Sequence, residues 1–428
     1  MHVATESIRR ETVKIGFVLC EHPVDVRIKK EARSLAAAGH EVVALVQEQP
    51  TNQRVIPTDG LTLQTYAPPR PGEVQKALTF VRRMSFLSIP VEERIEKFAV
   101  ESQVDVLHVH DLPNVWAGIR VGRRLGIPVV ADLHENYASA VRAYVGGSFK
   151  LRHLVTANQT LWHNYQRRCV RAADRIVVVI EEGRDYMLRY GIEPEKVHVV
   201  PNYVDLEYLR AYSAGVQLNP ERSGKFVLSY VGYICSDRGV DIAIRAMALL
   251  EGKAPDAKLV VVGDSGGDTG YLARLRNLVK ELGVEDSVAL VGWQPFEKVP
   301  GYIAASDVGL VPHQRNPHRD NTIPNKLFDY MGFAKPVIVS DCPPLARIVN
   351  DARAGLVFHA SRPDDLAECI LRLYENRELA RRLGMSGAEA VKERYDWNTA
   401  AAELVKMYDG LSKAKPTAAA TSAESRRR

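Results

Sequence analysis

Short runs of apolar, largely β-branched residues recur along this chain with helical patterns between them, and after one break the whole series begins again. That alternation constrains the fold more than any other feature. A strand covered on both faces by crossover helices reads as a continuous apolar run, so the pattern predicts βαβ units around a buried parallel sheet. The first series predicts strands at Lys14–Cys20, Glu41–Val46, Leu61–Tyr66, Val104–His110, Pro128–His134, Arg175–Ile180 and His198–Pro201. The second predicts Phe226–Val231, Lys258–Gly263, Val288–Val291, Val308–Pro312, Pro336–Ser340 and Gly355–Phe358. Between them, Asp205–Gly224 shows no clear strand and holds Gly215, Asn219, Pro220, Ser223 and Gly224, the composition of a linker. The simplest reading is two similar α/β domains, at 12–207 and 225–395, joined by a linker at 208–224. A helical pattern over Trp397–Leu411 then predicts a helix (396–411) that packs back on the first domain. The stretch 412–428 has too few large apolar residues to fold and reads as a disordered tail.

Length and composition agree. A chain of 428 residues, 46% hydrophobic and 25% charged, suits two globular domains and excludes collagen-like, wholly disordered and disulfide-scaffold classes. No apolar run reaches the roughly 18 residues of a membrane span, and MHVATESIRRET lacks the apolar core of a secretory signal. The five cysteines are scattered and form no C-x-x-C pair, which argues against zinc or redox chemistry and for a reducing, cytoplasmic compartment. The net charge of +5 is small for this length, and its distribution says more than its size. Lys413, Lys415, Arg426, Arg427 and Arg428 in the tail face a single acid, Glu424. The region Arg142–Arg175 carries seven Arg or Lys against Asp174, interleaved with Tyr144, Phe149, Leu154 and Trp162. With the basic amphipathic stretch Lys76–Ile89, it is a candidate face for peripheral contact with an anionic membrane or a phosphorylated acceptor, against the plainer reading of ordinary helices with solvated arginines. No nucleic-acid-binding module is present.

In open parallel sheets ligands bind beyond the carboxyl ends of strands, so residues that follow the apolar runs are the ones to inspect. After the first strand, Glu21–Arg27 has no glycine, whereas a dinucleotide oxidoreductase would need G-x-G-x-x-G there. Asp25 and Arg27 are candidates for the cleft, beside the plainer reading of a helix cap and a solvated charge. VLHVHDLPN and VVADLHENY place His110, Asp111, His134 and Glu135 at neighbouring strand ends, where polar side chains point toward a ligand. Neither pair has the i, i+4 spacing of a metal-binding helix, so no metal is expected. In the second series, Gly232 follows a strand and Arg238-Gly239 opens a helix, an arrangement suited to phosphate. The strongest window is Asn321–Gly332, in which Lys326 sits in the first turn of a helix and Asp329 lies three residues on, on the same face. A lysine there meets phosphate as a point charge, and a carboxylate accepts from ribose hydroxyls. The plainer alternative is a core helix with its charges in water.

Taken together, HPVDVR, HVHDL, DLHENY, ADRIVVVIEEG, VVPNYVD, SYVGYICSDRG, VVGDSG, SDVGLVPH and PNKLFDYMGFAKPVIVSD resemble, in order and spacing over residues 13–411, the GT-B glycosyltransferases of the group 1, or GT4, family. The resemblance implies an α/β GT-B fold of two Rossmann-like domains facing a deep cleft. It also implies a retaining, metal-independent transfer from a nucleotide-diphosphate sugar to a glycan, lipid-linked or small-molecule acceptor, in bacterial cell-surface polysaccharide or glycoconjugate synthesis. No cofactor beyond the donor substrate is implied, and the setting is the cytoplasm or the cytoplasmic face of the membrane. By the same resemblance Arg238 and Lys326 hold the diphosphate and Asp329 the ribose, while His134 is the cleft histidine near the donor sugar. Gly263 and Trp293 line the nucleobase, and Gly232, Tyr233, Asn321 and Asn325 complete the donor side. Asp25, Arg27, His110, Asp111 and Glu135 belong to the acceptor side. Asn321 stands at the first acid of the family's E-x7-E motif and Tyr233 where many relatives carry arginine; the subgroup with PNK before the helix shares both. The alternatives are a nucleotide-sugar epimerase on the same two domains, and a scaffold that binds nucleotide sugar without turnover.

Overall fold

The computed structural model describes residues 12–19, 26–47, 61–66, 89–144, 158–207, 209, 224–265 and 269–412. Asp25 and most of Lys76–Ile89 lie outside them, as do Lys150 and Arg152.

The N-terminal domain is a seven-stranded parallel sheet in the order β3-β2-β1-β4-β5-β6-β7. Its strands are β1 Lys14–Val18, β2 Glu41–Gln47, β3 Thr62–Tyr66, β4 Val106–His110, β5 Val129–Leu133, β6 Arg175–Val178 and β7 Val197–Val199. The helices are α1 Val26–Ala37, α2 Ile89–Glu101, α3 Leu112–Leu125, α4 Tyr137–Tyr144, α5 Gln159–Ala172 and α6 Glu181–Leu188. The C-terminal domain is a six-stranded parallel sheet in the order β10-β9-β8-β11-β12-β13. It comprises β8 Phe226–Val231, β9 Ala257–Val262, β10 Val288–Gly292, β11 Val308–Val311, β12 Val337–Ser340 and β13 Gly355–Phe358. Its helices are α7 Val240–Leu249, α8 Thr269–Glu281, α9 Val299–Ala305, α10 Asn325–Gly332, α11 Pro343–Ala352, α12 Pro363–Glu375 and α13 Arg377–Arg394, and α14 Trp397–Ser412 closes the series. Every strand read from the sequence is present, with ends trimmed by up to two residues or extended by one.

Both sheets reverse their winding beside the first strand, between β1 and β4 in one domain and between β8 and β11 in the other. These are the two switch points, and they fix where a ligand crevice opens. The strands there are fully buried, β4, β5 and β8 along their whole length. Helix α3 lies unusually close to its sheet because Gly118 and Gly122 face it. An added Cβ would stand 2.5 Å from Val109 and 2.4 Å from Val129. A side chain at either position would lift the helix and shift the strand ends that it supports.

Helix α14 returns to the N-terminal domain, as expected. The Trp397 indole N–H donates to Ser34 Oγ (2.9 Å) on α1, and Lys30 lies over the Trp397 ring at 4.4 Å. Further along, Glu403 meets His198 at 2.9 Å and Tyr408 meets His108 at 2.6 Å. The domains also touch across the cleft. Arg347 on α11 pairs with Glu181 and Glu182 at the start of α6 (2.7 and 2.8 Å), and Asn136 donates to the Pro317 carbonyl (3.1 Å). Among the described residues no helix is long and apolar enough to cross a membrane.

Candidate active site

The C-terminal half of the site is built on the loops after β8, β9 and β11 and on the first turn of α10. Gly232 and Gly263 end β8 and β9 with φ of 124° and 148°, and a Cβ on Gly263 would stand 1.9 Å from the Gly232 carbonyl oxygen. Only glycine lets these two loops approach so closely. Next, Ser236–Arg238 forms a short 3-10 turn whose Gly239 (φ 68°) backs directly onto the Pro312 carbonyl. This packing projects Arg238 toward the N-terminal domain. There it lines a cavity of about 230 Å³ with Glu135 and Ala140 from the opposite domain, and with Tyr233, Cys235, Asp237, His318 and Arg319 from its own.

Lys326 enters the same region from α10. It is buried, its ammonium lies 3.6 Å from the centroid of the Tyr230 ring, and Nζ has no hydrogen-bond partner. Burial, with Arg238 and Arg319 nearby, pushes its pKa well below the usual lysine value. The same causes, burial first and then Arg238, Arg319 and Lys326, hold His313 well below its ordinary value, and its Nε2 lies 3.3 Å from Arg238. Burial raises Asp329 to about 6 against the pull of Lys30 and Lys326. This half of the site is thus a set of crowded cations short of a counterion.

Arg319 was not evident from the sequence. It lies on a 3-10 turn, 8% exposed, and its Nε and Nη2 reach Asp237 Oδ2 at 2.8 and 2.7 Å. Burial alone would raise Asp237, but Arg319 outweighs it and the carboxyl is held below its usual range. The signal that could have found Arg319 is its place two residues before Asn321. Asn321 itself donates to the Pro317 carbonyl at 2.7 Å and shapes that turn, and Asn325 is exposed at the start of α10. The Tyr233 hydroxyl donates to the Ser265 carbonyl at 3.0 Å, bridging the β8 and β9 loops, and Trp293 is 69% exposed beyond β10.

The N-terminal half is ordered differently. His134, partly exposed, stands with Nε2 3.1 Å from Asp111 and Nδ1 3.9 Å from Asp132. Burial would lower its pKa, but Asp111 and then Asp132 outweigh it and the ring holds its proton above the ordinary histidine value. Asp111 has φ of 65°, an uncommon conformation for a residue with a side chain, and it stands at the N-cap position of α3 without a side-chain capping bond, which leaves its carboxylate for His134. Glu135 lines the cavity opposite Arg238.

Two expectations are corrected here. Arg27 and His110 were placed in the cleft because they follow strands, but they lie beneath its wall, 3% and 1% exposed. Arg27 donates to the Val200 carbonyl (2.9 Å) and Asn202 (2.8 Å), and it pairs with Glu31 (2.8 Å) and Asp132 (3.5 Å). His110 is the direct cross-strand neighbour of Asp132, 3.2 Å from its Oδ2, and points into the domain. Burial, with His108 beside it, lowers His110 to about 3. Glu31, His108, His110 and Asp132 bring possible ligand atoms within 4.8 Å of one another, a set that by residue type would suit zinc. The guanidinium of Arg27 already lies against both carboxylates, so the place of a cation is taken and we do not read these residues as metal ligands.

A larger groove of about 590 Å³, with Arg353, Arg372 and Arg382 on its lining, opens at the amino end of β13, the opposite end of the sheet from the cleft. Of the basic stretch, Arg168 stacks on Trp116 (3.8 Å), Arg167 lies 5.5 Å from the Tyr190 ring and Arg171 donates to the Tyr190 carbonyl.

Two facing Rossmann-like domains with strand ends meeting across a cation-rich crevice define the GT-B class of glycosyltransferase fold. Residues 24–208 match the model of Glycosyltransferase Family 4, and 217–390 match that of Glycosyl transferases group 1. The D-inositol 3-phosphate glycosyltransferase of Acidothermus cellulolyticus is 26% identical over 92% of this chain and 87% of its own length. Among solved structures, sucrose-phosphate synthase of Thermosynechococcus elongatus superposes with a TM-score of 0.75 at 19% identity, covering 94% of this chain and 100% of its own. HepE of Anabaena in complex with UDP-glucose gives 0.71 at 16% identity, covering 93% and 100%. The chain belongs to the group 1, or GT4, family of glycosyltransferases.

Proposed function

We propose that this enzyme transfers a sugar from a nucleotide-diphosphate donor to a hydroxyl of a glycan, lipid-linked or small-molecule acceptor, with retention at the anomeric carbon and without a metal ion. The observation that carries the reading is the buried Lys326 ammonium, without a hydrogen-bond partner and near Arg238. A charge left unpaired at that depth is costly unless a ligand supplies its partner. A diphosphate does so, and it is the group on which negative charge grows as the anomeric bond breaks. Arg238, Lys326 and the first turn of α10 then stabilise the leaving group. Asp329 accepts from the ribose, and the Gly263 loop and Trp293 flank the base. In the transfer the acceptor oxygen bonds to the anomeric carbon, the bond to the diphosphate oxygen breaks, and the acceptor proton passes to that leaving oxygen on the same face. His134 faces the donor sugar from the other domain. The UDP-glucose held by HepE supports a nucleotide-sugar donor. A role in cell-surface glycoconjugate synthesis and peripheral membrane contact rest on the family and on the basic stretch alone.

A panel of UDP-, GDP- and ADP-sugars, tested for thermal stabilisation and slow hydrolysis, identifies the donor. Arg238→Ala is expected to lose turnover, and unchanged turnover would refute its role. The anomeric configuration of the product tests retention, and turnover in a chelator tests metal independence. Conversion of free donor to an epimer would establish the epimerase, and binding without transfer or hydrolysis would establish the scaffold.

A further inference from the structure

Beneath the cleft wall a line of polar side chains runs from the last helix to His134, joined first by a hydrogen bond and then by two charge contacts of 3.5 and 3.9 Å. Tyr408 on α14 is fully buried, with its hydroxyl 2.6 Å from His108 Nδ1. The other nitrogen of His108, Nε2, lies 3.5 Å from Asp132 Oδ2. Asp132 lies on β5 and His134 directly follows its end, and the second oxygen of Asp132 lies 3.9 Å from His134 Nδ1. The direction of the line follows from chemistry. The Asp132 carboxylate, 3.5 Å from Nε2, favours the tautomer that carries its hydrogen there, which leaves Nδ1 bare to accept from the Tyr408 hydroxyl. With Oδ2 approached by His108, His110 and Arg27 Nε, Oδ1 is the oxygen that faces His134.

We propose that Asp132 is the positioning residue of the cleft histidine, and that Tyr408 sets Asp132 through the tautomer of His108. The C-terminal helix is thereby part of the support of the active site. His134 lies between two carboxylates, Asp111 3.1 Å from Nε2 and Asp132 3.9 Å from Nδ1, while Arg27 on α1, the adjacent Glu135 and the ring of His110 (6.3 Å between centroids) are the other titratable groups around it among the described residues. The carboxylate behind Nδ1 favours the protonated ring through its charge, so the donor sugar meets a hydrogen-bond donor. The consequence for turnover rests on the proposed role of His134; the arrangement of the rings does not.

The test is Tyr408→Phe, which removes one hydroxyl and keeps the packing. We expect turnover to fall on the order of 10-fold with donor KM nearly unchanged, and the pH limb that reports His134 to move to lower pH. Asp132→Asn should do the same more strongly, and its fold is checked by circular dichroism. A merely structural role would lower the melting temperature and leave the pH limb in place. Nitrogen-15 NMR of the histidine rings reads the arrangement without any activity. The native protein should show His108 as the Nε2–H tautomer, with a change at both His108 and His134 in Tyr408→Phe. A native Nδ1–H tautomer, or His134 resonances and pH limb unmoved in a folded Tyr408→Phe protein, would overturn the proposal. Failure of the native protein to bind any nucleotide sugar would count against the proposed function and leave the ring measurement standing.

Discussion

On the N-terminal side of the cleft Arg27 spreads its guanidinium over Glu31, Asp132, Asn202 and the Val200 carbonyl, whereas on the C-terminal side Lys326 ends against the face of Tyr230 with no hydrogen-bond partner. Both are cations buried near strand ends at a switch point of the same kind of sheet. The first sits among carboxylates supplied by its own domain, and the second beside two like charges, Arg238 and Arg319, that outweigh the Asp329 carboxyl. A buried charge compensated within the chain is scaffold, and one left for an outside partner marks where that partner binds. The comparison assigns the two half-sites different tasks: the C-terminal half receives an anion, and the N-terminal half holds a histidine still.

The sharpest way to break this contrast is to remove each cation in turn. Lys326→Met should lower turnover about 100- to 1000-fold, since it deletes a charge aimed at the leaving group, yet it should stabilise the empty protein by about 1 kcal/mol by removing an uncompensated buried ammonium. Activity assays and denaturant unfolding check the two directions. Arg27→Met should do the reverse. It strands Glu31 and Asp132 without their cation and should cost about 3–5 kcal/mol of stability, while nucleotide affinity in the protein that remains folded stays within a few-fold of native. A stable Arg27→Met protein, or a destabilised Lys326→Met protein, would dissolve the distinction.

Smaller changes sharpen it. Gly263→Ala would bring a methyl against the Gly232 carbonyl at a φ that side chains avoid. We expect a loss of roughly 1–3 kcal/mol in unfolding measurements, and a donor KM raised about tenfold because both loops border the donor site. The mildest effect comes from Asp329, raised to about 6. Below that pH it is protonated and a poorer acceptor for ribose hydroxyls, so donor KM should rise as pH falls through about 6 and stay flat in Asp329→Asn. The stability effect has the opposite sign. Because burial raises this carboxyl, its contribution is greatest while it is protonated and is lost as pH rises through about 6.

The strands were legible because a parallel sheet covered on both faces must be written in apolar residues, and the windows around Arg238 and Lys326 stood out because cations at helix openings break that writing. What could not be read was compensation. Arg27 and Glu31 are i,i+4 neighbours on α1, but Asp132 and Tyr408 are far from them in the chain, and no spacing says that all four meet in one buried cluster, so Arg27 and His110 looked like cleft residues. Two local signals were nonetheless present. Asp132 is a carboxylate inside the apolar run VVADL, and His108 and His110 alternate along one strand, which points both rings to the same face. Arg319 offered only its place two residues before Asn321, since it lies on a turn set by the Asn316 side chain accepting from the Arg319 N–H and the Asn321 side chain donating to the Pro317 carbonyl.

The central claim is that the C-terminal cations await a diphosphate, and calorimetric titration with UDP, GDP and ADP tests it most directly. The account predicts saturable binding of at least one of these nucleotides, weakened about tenfold or more in Lys326→Met, whose buried cation has no hydrogen-bond partner in the empty site. Binding of none of the three, or binding of equal strength in Lys326→Met, would contradict it.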